Sequence, residues 1–186
     1  GAHFMPSLTL KCRFGATEVA ARLVSSTQLN CTAPPAIAGD VSLEASINGI
    51  SFSSSSVAYR YHATNAVLAL QPRTGPVVGG THVRVIGAHH LVGTTCTFGG
   101  QLAMFSERVS AFELRCVSPA QLRGTYAVEV SSNEYDWTMS RVEFVYAASP
   151  QRLQLDPPLG PESGGTLVEV SGEGFVRSPE LSCRFG

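Results

Sequence analysis

The sequence predicts an all-β fold of tandem β-sandwiches, with about seven short strands in each complete module. Three observations carry that expectation. The first is a repeat: Leu70 to Gly99 runs through Pro72-x-x-Gly75-Pro76, Gly79-Gly80-Thr81, an alternating stretch and Cys96-Thr97-Phe98-Gly99. The same order returns from Leu155 as Asp156-Pro157-Pro158-Leu159-Gly160-Pro161, Gly164-Gly165-Thr166, Leu167 to Gly172 and Cys183-Arg184-Phe185-Gly186. A partial copy opens the chain, with Gly1-Ala2-His3-Phe4 and then Cys12-Arg13-Phe14-Gly15. Gly1, Gly87 and Gly172 are equivalent, so the unit is about 85 residues, the size of a small sandwich domain and not of a helical solenoid repeat. The second observation is period-two alternation in short runs separated by turn residues, with no apolar stripe at helical spacing. The third is composition, since 18 Gly and 11 Pro in 186 residues suit a turn-rich β architecture.

Taken in order, residues 1–63 form a first module without its opening strands. Leu8, Leu10 and Cys12 alternate with Thr9 and Lys11 as a strand with one buried face, and a second strand ends at Thr32 before Pro34-Pro35. Val41 to Ile47 alternates again, Asn48-Gly49 supplies a hairpin turn, and Phe52 to Tyr61 returns. Residues 64–147 form the one complete module. Val67, Leu68 and Leu70 begin it, Pro72 bends the chain, and Gly79-Gly80 turns sharply into Thr81 to Ile86. Val83 and Val85 are expected inside, with His82 and Arg84 outside; Cys96 and Phe98 share a face. Leu102 to Phe105 follows Gly99-Gly100, Phe112, Leu114 and Cys116 make the next strand, Tyr126, Val128 and Val130 another, and Trp137 to Tyr146 closes the sheet. Residues 148–186 supply only the first strands of a third module.

Charge and hydropathy exclude some function classes. The 13 Lys and Arg balance 14 Asp and Glu, Lys11 is the one lysine, and no basic run occurs, so there is no electrostatic footprint for nucleic acid. No apolar stretch approaches the roughly 18 residues that cross a bilayer, so no membrane span is expected in this segment. A chain that starts at Gly1, in mid-module and without an initiator Met, is expected to be a piece of a longer one. Cysteine placement points to an oxidising compartment. Cys12 and Cys31, like Cys96 and Cys116, occupy matching repeat positions, so each module carries one pair. Cys183 matches Cys12 and Cys96, and its partner is expected beyond Gly186. The bland alternative is reduced, buried thiols in a cytosolic protein. Two cysteines per module without histidine at ligand spacing cannot fill a tetrahedral zinc site.

The pattern resembles the IPT/TIG domain, the immunoglobulin-like fold shared by plexins, a growth-factor receptor, fibrocystin-like surface proteins and some transcription factors. The matching residues are Pro72 to Pro76, Gly79 to Thr81, the Gly87-x-x-His90 end of a strand, Cys96 to Gly99 and Cys116 to Pro119, recurring around Phe175 and Cys183. His90 stands where the family usually has an aromatic residue. The resemblance to the extracellular branch implies disulfides Cys12–Cys31 and Cys96–Cys116.

Signals for chemistry are sparse. His89-His90 falls in a predicted loop and His82 on an outward strand face, so the expectation is solvated histidines and not a metal or catalytic group. No nucleophile elbow and no repeated carboxylate pair occurs. The Gly-Gly pairs lack a following helix and a P-loop lysine, which leaves them as turns. Asn30-Cys31-Thr32 has the form of an N-glycosylation acceptor, and Asn30 points outward if Cys31 points in, although a bonded cysteine at the middle position is a poor context. Ser53 to Ser56 is read as a polar edge or an O-glycan site, and Tyr135 and Trp137 as half-buried sheet aromatics or a contact patch.

The sequence thus predicts a non-enzymatic, extracellular or cell-surface array with no catalytic residues, cofactor or metal. Its expected role is structural or adhesive, as a segment of a longer surface or filament-forming assembly. Its partners would be other protein chains, copies of itself included, with no nucleic acid. The alternatives are the ligand-binding ectodomain of a plexin-like receptor and, behind it, a dimerisation module of an intracellular transcription factor.

Overall fold

A computed structural model describes residues 4–175 and 181–186. The opening motif residues Gly1, Ala2 and His3 lie outside them. All regular structure among the described residues is β-strand, and the chain divides into two compact units, Gly1–Ala63 and Thr64–Gly186.

In the first unit β1 (Lys11–Phe14), β2 (Thr17–Ser25), β3 (Gln28–Cys31), β4 (Gly39–Ser46) and β5 (Val57–Tyr61) form one sheet of order β3-β2-β1-β4-β5. Cys12 and Phe14 are buried and the neighbouring Lys11 and Arg13 half-buried, as alternation demands. Phe14 lies opposite Leu43 and edge-on to Tyr59 at 5.2 Å. Three local expectations change. Leu8 is exposed and outside any strand, and Leu10 is the first buried residue of the segment. The stretch before Cys31 is two strands and not one, because Ser25 Oγ accepts the Thr27 N–H at 3.2 Å and the chain reverses between β2 and β3. Gly49 does take φ +73°, the value expected of the Asn48-Gly49 turn. The return strand, however, starts at Val57 and not at Phe52, since Asn48 Oδ1 captures the Ile50 and Ser51 amides at 3.0 and 2.8 Å and winds the intervening residues into a loop.

In the second unit two sheets face each other. One has the order β10 (Gln101–Leu102), β9 (Thr95–Phe98), β13 (Gly124–Ser131), β14 (Val142–Ala147), β7 (Thr74–Pro76); the other runs β11 (Phe105–Ser110), β12 (Glu113–Val117), β8 (His82–Ala88), β6 (Ala66–Gln71). Between them lie Val67, Leu70, Val83, Val85, Leu114 and Cys116 from one sheet and Cys96, Phe98, Val128, Val130, Phe144 and Tyr146 from the other. His82 and Arg84 are exposed beside buried Val83 and Val85, the alternation read from the sequence. Val67 and Leu70, an odd three apart, both face inward because the β6–β8 register shifts between Val67 and Ala69.

Strand segments in this module number more than seven because two strands break. The chain leaves one sheet after β6 and joins the other as β7, parallel to β14. Likewise β10 and β11 divide the stretch expected to run as one strand from Leu102. Phe112 sits in the β11–β12 turn and is exposed. The closing strand begins at Val142, well after Trp137, because the Glu129 carboxylate gathers the preceding loop. It accepts the Thr138 hydroxyl and the backbone N–H groups of Ser140 (3.0 Å) and Arg141 (2.9 Å). Beyond this module β15 (Gln151–Asp156) and β16 (Glu169–Glu173) pair as a separate antiparallel ladder.

Candidate functional site

The residues singled out by the sequence fall into staples, surface and one buried ring. Cys96 on β9 is bonded to Cys116 on β12, with Cα atoms 6.4 Å apart, so the link joins the two sheets through the middle of the core. Both cysteines are fully buried. Alternation explains the placement: Phe98 and Leu114, two residues away on each strand, face the same interior. In the first unit Cys12 on β1 is bonded to Cys31 on β3 at a Cα distance of 6.3 Å; β2 pairs with β1 through Thr17 to Ala20 and with β3 through Ala21 to Ser25, so the bond links the two successive ladders of that strand. Cys183 is exposed and without a partner among the described residues.

The outer face of β8 and β12 is ionic. Arg84 donates to both oxygens of Glu113 at 3.0 and 2.8 Å and to Gln71 Oε1 at 3.1 Å. This bidentate pair holds the Glu113 carboxyl below its ordinary value and raises Arg84, the hydrogen bond being the larger cause in each case. Arg60 and Asp40 make an equivalent exposed pair between β4 and β5, which lowers Asp40 in the same way. Arg13 is paired with Glu44 and lies 4.2 Å over the Phe52 ring. Such cross-strand pairs favour the observed strand register.

Asn30 is exposed on β3, beside Arg22 of β2, while Cys31 turns the other way into its disulfide. Trp137 is half-buried in the Glu129-anchored loop and lines a shallow cleft of about 350 Å³ with Leu102, Glu129 and Glu134. Tyr135 beside it is exposed, so the two aromatics expected together are divided between cleft and surface.

Among the described residues the histidines are not gathered into a cluster. His82 and His89 are exposed, and no group of three or more His, Cys, Asp or Glu that could hold a metal ion occurs among the described residues. The expectation that His90 is a solvated loop residue is wrong. It is 1 % exposed, with neither ring nitrogen hydrogen-bonded among the described residues. Its ring covers Gly87, and burial first, then Arg108 and His89, hold its pKa below the ordinary histidine value. The signal for this was present in the repeat, where Phe175 stands at the matching place.

Against this geometry, the IPT/TIG domain family matches residues 1–61 and 66–146. The chain belongs to that family. Human Plexin-B3 is 34% identical over 121 residues, 62% of this chain and 6% of that protein. Human Plexin-A2 is 30% identical over 125 residues, 64% of this chain and 6% of that protein. Mouse Plexin-B3 is 26% identical over 170 residues, covering 89% of this chain and 9% of the relative. The chain therefore spans only a small part of the length of these relatives. The solved extracellular region of Plexin A4 superposes with a TM-score of 0.51 at 20% identity, over 87% of this chain and 15% of that one, and supports the same tandem immunoglobulin-like fold. The extracellular relatives and the disulfides give the location: the cell surface or the extracellular space. No helix among the described residues is long and apolar enough to cross a membrane.

Proposed function

We propose that this chain is a segment of the ectodomain of a plexin-like cell-surface receptor, in which its modules space and orient protein-binding surfaces without catalysis. The observation that carries the reading is the combination of plexin-like sequence along the module array with one disulfide in each of two modules. A core filled by aromatic and aliphatic side chains, with ion pairs such as Arg84–Glu113 on the outer strand faces, suits a rigid spacer better than a pocket enzyme. The test is expression of the full-length protein on intact, unpermeabilised cells followed by labelling with an antibody raised against residues 1–186. Surface labelling, together with saturable binding of a soluble protein ligand to the ectodomain, is expected. A protein reached by the antibody only after the cells are opened would refute the reading.

An adhesive or filament-forming use is the finer part of this proposal. It is favoured by the apolar residues exposed on the first unit, Val57 and Tyr59 of β5 among them, which suit contact with other protein chains, copies included. Sedimentation over a hundredfold concentration range would show self-association, and a constant monomer mass would remove it. We further propose Asn30 as an N-glycan acceptor, on the strength of its exposure opposite the Cys31 disulfide. A mass decrease on enzymatic deglycosylation that is absent from Asn30→Gln supports it, and an unchanged mass refutes it.

A further inference from the structure

We propose that the module formed by residues 64–147 carries an acid-sensitive latch at His90, whose uncharged ring closes the core over Gly87 and whose protonation in mildly acidic surroundings weakens the module. The backbone that carries the ring is pinned on both of its polar groups. Its own backbone N–H donates to the Ala111 carbonyl at 3.0 Å, and its carbonyl accepts Arg108 Nε at 2.7 Å. Gly87 donates to the Phe112 carbonyl at 2.9 Å, which draws the end of β8 to the β11–β12 turn beside it. A Cβ placed on Gly87 would lie 2.6 Å from His90 Nε2 and would overlap the Ala66 carbonyl of β6, so the ring fills the space that the glycine leaves.

This packing suits the neutral imidazole and not the cation. A neutral ring presents one donor and one acceptor, whereas the cation presents two donors and a full charge. Neither nitrogen has a partner among the described residues, and the ring is 1 % exposed, so the added donor and its charge would be buried without an acceptor. The charged groups that act on it are Arg108 from β11 and His89 from the same loop, both unfavourable to a second positive charge. From β6 and from the β11–β12 turn it faces the backbone of Ala66 and Ala111.

The direction of the pH effect follows from proton counting. Burial holds the folded-state pKa of His90 below the value of about 6.5 that the unfolded chain has. Below that pH the unfolded chain binds a proton that the folded module does not, so stability falls as pH falls. The folding equilibrium drops about tenfold for each pH unit below 6.5, until the folded-state pKa is reached. The third repeat carries a hydrocarbon ring at the matching place: Phe175 lies 3.3 Å from a Cβ built on Gly172, although it is more exposed than His90. The position requires a flat ring and does not require a base. A surface protein drawn into an acidified compartment would lose this part of the module's stability there.

The test uses the whole 186-residue chain with disulfides intact. Trp137 is the one tryptophan and lies in this module, so its fluorescence in urea reports the unfolding of this module. Wild type is expected to lose folding equilibrium between pH 7.5 and 5.5, by up to about tenfold. His90→Phe is expected to remove that loss, and His82→Gln, on an exposed ring, to retain it. An equal loss in wild type and His90→Phe would overturn the proposal. Should His90→Phe fail to fold, imidazole titration of the wild-type chain by NMR decides: a His90 ring that titrates below 6.5 supports the latch. A ring that titrates at 6.5 or above with the module intact overturns it.

Discussion

Replacing Cys96 and Cys116 together by alanine tests whether the inter-sheet bond holds the complete module. The bond closes a segment of 20 residues. In the chain-entropy treatment, freeing such a loop in the unfolded state costs the folded state about 3 kcal/mol. Truncating two fully buried sulfur side chains acts in the same direction. Against the roughly 5–15 kcal/mol that holds a domain of this size, the loss is a large fraction. Trp137 fluorescence in urea gives the measurement. With a slope of about 1–3 kcal/mol/M, the midpoint should fall by about 1–3 M. Wild type treated with a thiol reductant that reaches the buried bond should move in parallel. A double variant whose midpoint stays within about 0.3 M of wild type, with slope unchanged, would refute the staple argument, because a 3 kcal/mol loss cannot hide within that shift.

Gly87→Ala should cost about 1–3 kcal/mol, since the added methyl meets the Ala66 carbonyl and the buried His90 ring and neither has room to yield; an unchanged urea midpoint would count against that packing. Glu129→Ala should free the loop that precedes β14, removing charge-assisted bonds worth about 1.5–3 kcal/mol, and hydrogen exchange at the Ser140 and Arg141 amides should speed up while the β9 amides stay protected. The Arg84–Glu113 pair should stabilise the fold above pH 4.5, the ordinary value for that carboxyl, and lose this contribution as pH falls through the lowered folded-state value. Arg84→Ala should therefore differ from wild type at neutral pH and converge with it in acid. A gap that widens on acidification would reverse the assignment.

What could be read from the sequence was set by regularity. Val83 and Val85 against His82 and Arg84, or Val128 and Val130 along β13, obey an alternation that the pleat enforces. The cysteines were legible for the same reason, since each lies in phase with an apolar neighbour two residues away. Strand ends were not, because they depend on side chains capturing backbone groups at a distance along the chain. Glu129 reaches forward to Ser140 and Arg141, and Asn48 turns the chain for several residues past the glycine that marks the hairpin. Residue type alone says nothing of where a carboxylate or an amide will find its donors.

His90 shows how position and residue type can disagree, and why position decides. As a histidine in a loop it invites solvation. As the fourth residue of Gly87-x-x-His90 it occupies a place that the backbone has already closed, with its amide on Ala111, its carbonyl on Arg108 and a glycine beneath the ring. Turning the ring out to water would leave a void over Gly87, next to the buried Val67 and Val85 on the paired strands β6 and β8. A cavity the size of a ring costs more than keeping a neutral imidazole dry, since losing an aromatic side chain from a core costs about 3–5 kcal/mol and an unmade hydrogen bond about 1–3 kcal/mol. The balance holds only while the ring is neutral, which is why pH exposes the conflict at this position and a phenylalanine, as at Phe175, would conceal it.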